Sequence, residues 1–235
     1  MILTPLRLLG SFYGSSVGKK IIVALTALVL LGFLPAHVIG NLLIFGGPEP
    51  LNEYAHFLHT FGHGMGIWVF RAVMLGAFGV HIGATLQLAA QNRAARAEGY
   101  AVKTPQKSTV SSRTMVITGL IVLCFVVYHL LHFTVRALPL CEYPKTMMID
   151  GKEYMNAYGM VIAGFKFVPA SIFYIVGVSL LSTHLAHGVS SVFQTLGLRT
   201  KKTADLIGLL GKAYALFVWA GFLAVPVAVL TGLVK

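Results

Sequence analysis

Residues 21–45 read IIVALTALVLLGFLPAHVIGNLLIF, twenty-five positions without one Asp, Glu, Lys or Arg. A helix over this run is about 37 Å long at 1.5 Å per residue. A bilayer's hydrocarbon core is about 30 Å thick. The run is too long for a signal-peptide core. Pro5, Arg7 and a polar 11–20 segment precede it, and no small-residue cleavage pattern follows, so it reads as a retained span. Working outward, four more apolar stretches of comparable length occupy about 62–90, 114–135, 167–192 and 211–234. The 235 residues are 57% hydrophobic and only 11% charged, with a mean hydropathy of +0.81. A soluble domain carries about 25% charged residues, so an ordinary soluble enzyme and a disordered chain are both excluded. Period-two alternation is absent, which argues against an outer-membrane barrel. The expectation is an all-α, single-domain integral membrane bundle of five transmembrane helices over 1–235.

Orientation follows from the basic residues, which concentrate in cytoplasmic loops. Arg7, Lys19 and Lys20 precede the first span. Arg93, Arg96, Lys103, Lys107 and Arg113 lie between the second and third, and Arg199, Lys201, Lys202 and Lys212 between the fourth and fifth. The opposite loops hold Glu49, Glu53, Glu142, Asp150 and Glu153. This places the N-terminus in the cytoplasm and the C-terminus outside. The net charge of +11 serves topology, and it also gives the inner face a means of docking an acidic partner or anionic membrane lipids. No basic soluble module exists to bind nucleic acid. Two cysteines, Cys124 and Cys141, make no disulfide framework, and the absence of CxxCH excludes covalent c-type haem.

Nine histidines carry the chemical information: His37, His56, His59, His63, His81, His129, His132, His184 and His187. Ionisable groups inside a membrane are costly and are usually retained for function. Each of the first four spans holds at least one. His37 and His129 fall in the outer halves of spans one and three. His81 and His184 fall in the inner halves of spans two and four. Two pairs at two depths suit two bis-histidine haems b, which need axial imidazoles from facing helices and an apolar slot. Gly40, Gly79, Gly83, Gly177 and Gly188 lie near these histidines and offer room for the rings, although small residues also serve helix packing. His132 and His187 share a helix face with His129 and His184, so spacing leaves the ligand within each of those pairs open.

Two rival readings use the same histidines. A di-iron desaturase would gather its HxxH motifs at one face; here they lie at opposite depths. A proton-coupled transporter would place acids in its spans or break its helices, whereas all seven acids lie in loops or at helix ends.

In order along the chain come His37-Val-Ile-Gly-Asn41-Leu42, Val80-His81-Ile82-Gly83, Tyr128-His129, and the run from His184 through His187-Gly188 and Ser191 to Gly197. This ordered set resembles the cytochrome b membrane anchor of succinate:quinone oxidoreductases (succinate dehydrogenase or fumarate reductase), in the branch with five helices and two haems b. The resemblance implies axial ligands at His37, His81, His129 and His184, pairing spans one and three around an outer haem and spans two and four around an inner one. It implies electron transfer between a quinone pool, commonly menaquinone in this branch, and two soluble partners, an FAD-containing flavoprotein and an iron–sulfur subunit on the cytoplasmic face. The setting implied is the bacterial inner membrane. This chain itself has no Cys cluster and no dinucleotide fingerprint, hence no succinate chemistry of its own.

Glu53, His56, His59 and His63 cluster before the second span, where the resemblance implies a quinone site, and an acid or histidine there is suited to proton exchange. Ser182 stands where some members carry a glutamate tied to proton transfer. Arg71, inside span two, and Arg136, after span three, are expected to face haem propionates. Tyr13, Ser15, Ser16 and Lys19 are expected to meet the iron–sulfur partner.

Overall fold

The computed structural model describes residues 5–95, 110–138 and 141–235. Five helices are long and apolar enough to cross a membrane. They are α2 (Ser16–Leu42), α4 (Met65–Ala94), α5 (Val110–His129, continued by a π-helical turn over Leu130–Val135), α7 (Val168–Thr195) and α8 (Ala204–Leu230). Three shorter helices are amphipathic accessories: α1 (Pro5–Gly14), α3 (Pro48–Thr60) and α6 (Ala157–Lys166). Helices dominate because a bilayer offers backbone groups no water, and a helix satisfies them within one segment. Leu25, Val29, Ile39, Trp68, Leu75, Ile117 and Leu216 all point outward, as side chains facing lipid should.

Helices α2, α7 and α8 form the centre, with α7 and α8 in the most extensive contact. Helix α4 packs along α2, α5 packs along α7, and α4 and α5 barely touch. Close approach relies on glycine. A methyl group on Gly221 of α8 would run into Val38 of α2, and one on Gly211 would lie 3.0 Å from the Ala186 carbonyl of α7. Polar bonds add direction: Trp219 Nε1 donates to Ser179 Oγ (3.0 Å) and Ser182 Oγ donates to the Ala215 carbonyl (3.0 Å). Ser182 thus ties α7 to α8.

Pro35 interrupts α2. A proline has no N–H, so the carbonyl four residues earlier loses its helical donor. That carbonyl belongs to Leu31, and it accepts instead from Tyr214 Oη of α8 at 2.5 Å.

The outer ends are capped by ordered structure that hydropathy does not reveal. A short 3-10 turn (Leu43–Gly46) leads into α3. Strands β1 (Thr146–Ile149) and β2 (Lys152–Met155) pair antiparallel, with Ile149 opposite Lys152. Their loop is Asp150-Gly151, both at positive φ (48° and 74°), the backbone that a two-residue hairpin turn requires. Asn52 of α3, fully buried, accepts from the Tyr158 N–H at the start of α6 (2.9 Å) and donates to Met147 Sδ of β1 (3.6 Å). One side chain therefore joins α3, the hairpin and α6.

The expected spans differ from the helices mainly at their ends. Span two begins at Met65, not 62, because Gly62, His63 and Gly64 all take positive φ and break the chain direction. Span five starts at Ala204, seven residues before the expected 211, because Asp205 and Lys212 sit on its solvated inner turns. At the inner face, Ser15 caps α2 by accepting from the Gly18 N–H, and α1 folds back so that Tyr13 Oη donates to Gln87 of α4 (3.0 Å). Lys19 is buried in this joint, its ammonium donating to the Gly14 carbonyl (3.1 Å) and standing over the Tyr13 ring. It holds α1 in place and is removed from the docking surface expected of it. Arg96, Lys103 and Lys107 lie outside the described residues.

Candidate functional site: two histidine levels

The inner level is built from α4 and α7. His81 Nδ1 lies 3.2 Å from the Val23 carbonyl and 3.3 Å from Thr26 Oγ1, both on α2. A carbonyl only accepts, so His81 carries its proton on Nδ1. Thr26 donates its own hydrogen to the Ile22 carbonyl (2.8 Å), which leaves its oxygen as an acceptor. His184 also meets a threonine hydroxyl, on the other flank. Its Nδ1 lies 3.2 Å from Thr118 Oγ1 of α5, a hydroxyl that also reaches the Met115 carbonyl at 3.1 Å, so either tautomer of His184 is compatible with the contact. A neutral imidazole with Nδ1–H has a lone pair on Nε2. A methyl on Gly119 would stand 3.4 Å from the His184 ring, an ordinary van der Waals contact, so α5 lies close against this ring. The His81 and His184 rings lie within electrostatic range of each other. No hydrogen bond among the described residues reaches either Nε2.

The outer level is built from α2 and α5. The His37 and His129 rings meet in a T-shaped contact, with centroids 5.8 Å apart and planes at 76°. His37 stacks on Phe33 (4.9 Å) and meets Phe222 (5.3 Å), while His129 has Phe125, Phe133 and Tyr174 around it. Asn41 Nδ2 donates to the His37 carbonyl (2.7 Å) and stands 3.3 Å from His37 Nδ1. For His37 to present its Nε2 lone pair, the oxygen of Asn41 must turn toward Nδ1.

The facing helices measure the distance between levels. Thr26 lies eleven residues before His37 on α2, and Thr118 lies eleven residues before His129 on α5. Eleven residues of helix rise about 16 Å, the same on both flanks.

Spacing alone left two choices open, and packing separates the members of each pair. His132 is buried under α6, its Nε2 2.9 Å from where a methyl on Gly164 would be, and its ring lies against Phe133 at 4.0 Å. His129 instead faces His37. His187 lies within the field of Arg199 at the inner end of α7, while His184 meets Thr118. The glycines divide as well. Gly79, Gly83 and Gly188 have open space beside them. Gly40 and Gly177 do not, because the Tyr54 and Phe125 rings occupy the space a side chain there would need; they serve packing.

The remaining candidates lie apart from these levels. Glu53, His56 and His59 are exposed on α3, a separate helix above the bundle. His56 meets the Tyr154 ring of the hairpin at 4.9 Å, and His59 Nδ1 donates to the Ala55 carbonyl (2.8 Å). Arg71 stands over the Trp68 ring on its own helix at 5.0 Å, and Arg136 Nη2 lies 2.8 Å from Met155 Sδ of β2. The propionate roles expected of both arginines thus compete with partners on this chain. Tyr174, Thr26 and Thr118 were missed in the sequence. Nothing along a chain marks a hydroxyl that becomes a histidine's neighbour on another helix.

His37 and His129 at one level, and His81 and His184 at the other, are the residues that would hold two bis-histidine haems. The His37 and His129 rings are in contact across α2 and α5, His81 is in the tautomer that offers Nε2, and Gly79, Gly83 and Gly188 have open space beside them. Among the described residues, no three His, Cys, Asp or Glu side chains converge as a cation site. Compared with known protein families, with curated proteins and with solved structures, the chain has no match in any of the three.

Proposed function

We propose that this chain is the cytochrome b membrane anchor of a succinate:quinone oxidoreductase. It would connect a quinone pool with soluble flavoprotein and iron–sulfur subunits that interconvert succinate and fumarate. The observation carrying this reading is the pairing of four histidines from the first four spans into two levels about 16 Å apart. At the inner level the Val23 carbonyl holds the Nδ1 proton of His81, and Thr118 Oγ1 stands at His184 Nδ1. Haem b, when bound, supplies reversible one-electron chemistry. The chain's part is to present Nε2 of His81 and His184 inside and of His37 and His129 outside. Second-shell acceptors on Nδ1–H orient such ligands and raise their basicity.

The outer cap is the place for quinone chemistry in this reading. Glu53, His56 and His59 stand exposed on α3 above the His37–His129 level, where they can exchange protons with the outer aqueous phase as a quinol, menaquinol by resemblance, is oxidised or formed. The iron–sulfur subunit would dock on the inner face, nearer His81 and His184, in a bacterial inner membrane. A reduced-minus-oxidised spectrum with a pyridine haemochrome count tests the reading: two haems b per chain are expected. Protein purified from haem-replete cells with iron but no haem, or with neither, would sink it.

A further inference from the structure

Tyr174 of α7 is buried, and its hydroxyl is placed between two imidazoles. It lies 3.3 Å from His129 Nδ1 and 3.2 Å from His132 Nδ1. Its ring is held by Phe125, Tyr128, Phe133 and Phe165, with centroids 5.0–5.9 Å away. The hydroxyl therefore cannot swing to another partner. A phenol has one hydrogen to give and lone pairs to receive. It can donate to only one of the two Nδ1 atoms, so at least one of the two imidazoles carries its proton on Nδ1 and donates to it. Opposite tautomers at His129 and His132 are the arrangement that uses both contacts and the phenol hydrogen together.

We infer that Tyr174 is the positioning residue of the outer haem ligand, accepting from His129 Nδ1–H while donating to His132 Nδ1. The assignment rests on the haem reading above. Iron on His129 Nε2 requires the proton on Nδ1, which settles the direction of the whole chain: His129 to Tyr174 to His132, with the last proton on His132 Nε2. His132 is then no spare ligand. It is the acceptor that keeps the tyrosine hydrogen away from His129. The acceptor on Nδ1–H makes the imidazole a stronger electron donor and so favours oxidised iron.

The test is Tyr174→Phe in the full chain, read by redox titration of both haems. The expected result is retention of both haems with an upward shift of the outer midpoint potential alone. A tenfold rise in the reduced-to-oxidised ratio corresponds to about 59 mV for one electron. Both haems retained at unchanged potentials would overturn the assignment. If the variant loses the outer haem, ¹⁵N-histidine NMR of the unsubstituted chain decides, with His132→Leu used to assign the signals. Opposite tautomers at His129 and His132 support the inference, and like tautomers overturn it. A chain that binds no haem before any substitution fails the functional reading instead, and the spectrum of the unsubstituted protein shows that first.

Discussion

His81 and His184 receive the same treatment from two different helices. In each case a threonine hydroxyl stands at Nδ1, Thr26 at 3.3 Å and Thr118 at 3.2 Å. Two independent occurrences on opposite flanks are hard to attribute to packing alone. Each proposed ligand therefore has a specific deletion phenotype. His81→Ala and His184→Ala should each abolish the inner haem, and His37→Ala and His129→Ala the outer one, in reduced-minus-oxidised spectra. His187→Ala should retain both. A His187→Ala protein lacking a haem that His184→Ala keeps would reverse the choice on α7. Thr118→Val should retain the inner haem but bind it less tightly by about tenfold or more, as loss of a ligand's hydrogen-bond partner does, measured by haem titration of the apoprotein. The four histidines and their two depths were legible in the sequence because a polar residue is conspicuous in an apolar run. The hydroxyls that hold them were not, since threonine in a transmembrane helix is common and its neighbour is set only by packing.

At the level of elements, α2 shows how one residue's defect becomes another helix's attachment. Pro35 frees the Leu31 carbonyl, and Tyr214 of α8 takes it. An unpaired buried polar group costs about 1–3 kcal/mol. Tyr214→Phe should therefore lower unfolding stability in detergent by about that amount. Pro35→Ala restores an N–H for the same carbonyl, so the double variant Pro35→Ala/Tyr214→Phe should lose less than Tyr214→Phe alone. Equal losses would mean that the tyrosine acts by packing only. The five long helices were legible because length and hydropathy suffice to mark a span. The outer cap was not, because α3 and α6 are short and the hairpin holds only eight strand residues. One signal there was available: Asp150-Gly151 between Thr146–Ile149 and Lys152–Met155 is a strong local hairpin signature. The restart of α4 at Met65 was hidden for a different reason. His63 adopts a left-handed backbone at φ 56°, which its residue type does not announce.

For the whole molecule, the two levels and the charge asymmetry must agree on one direction. Each inner histidine sits sixteen residues below the outer start of its helix, Met65 for His81 and Val168 for His184. That is about 24 Å of helix, close to the inner surface. The described basic residues Arg93, Arg113, Arg199, Lys201 and Lys202 lie on that same side, while Glu49, Glu53, Glu142 and Glu153 lie with the outer cap. An electron partner approaching from within thus meets the nearer histidine pair and a positive surface together. Exposed charges each contribute little and are screened over about 10 Å at 0.1 M salt. Reversing Lys201 alone should leave assembly with the proposed iron–sulfur subunit nearly unchanged. Reversing Arg93, Arg199, Lys201 and Lys202 together should weaken it at low salt, with both haems still bound. The sidedness itself is checked with single cysteines in oriented vesicles. Lys201→Cys should react only with reagent on the cytoplasmic side, and Met148→Cys, exposed on β1, only from outside. If the two labels exchange sides, the His37–His129 level becomes the one nearer the cytoplasm. The docking face would then move to α3, the hairpin and α6, where acidic and histidine side chains would have to receive the partner.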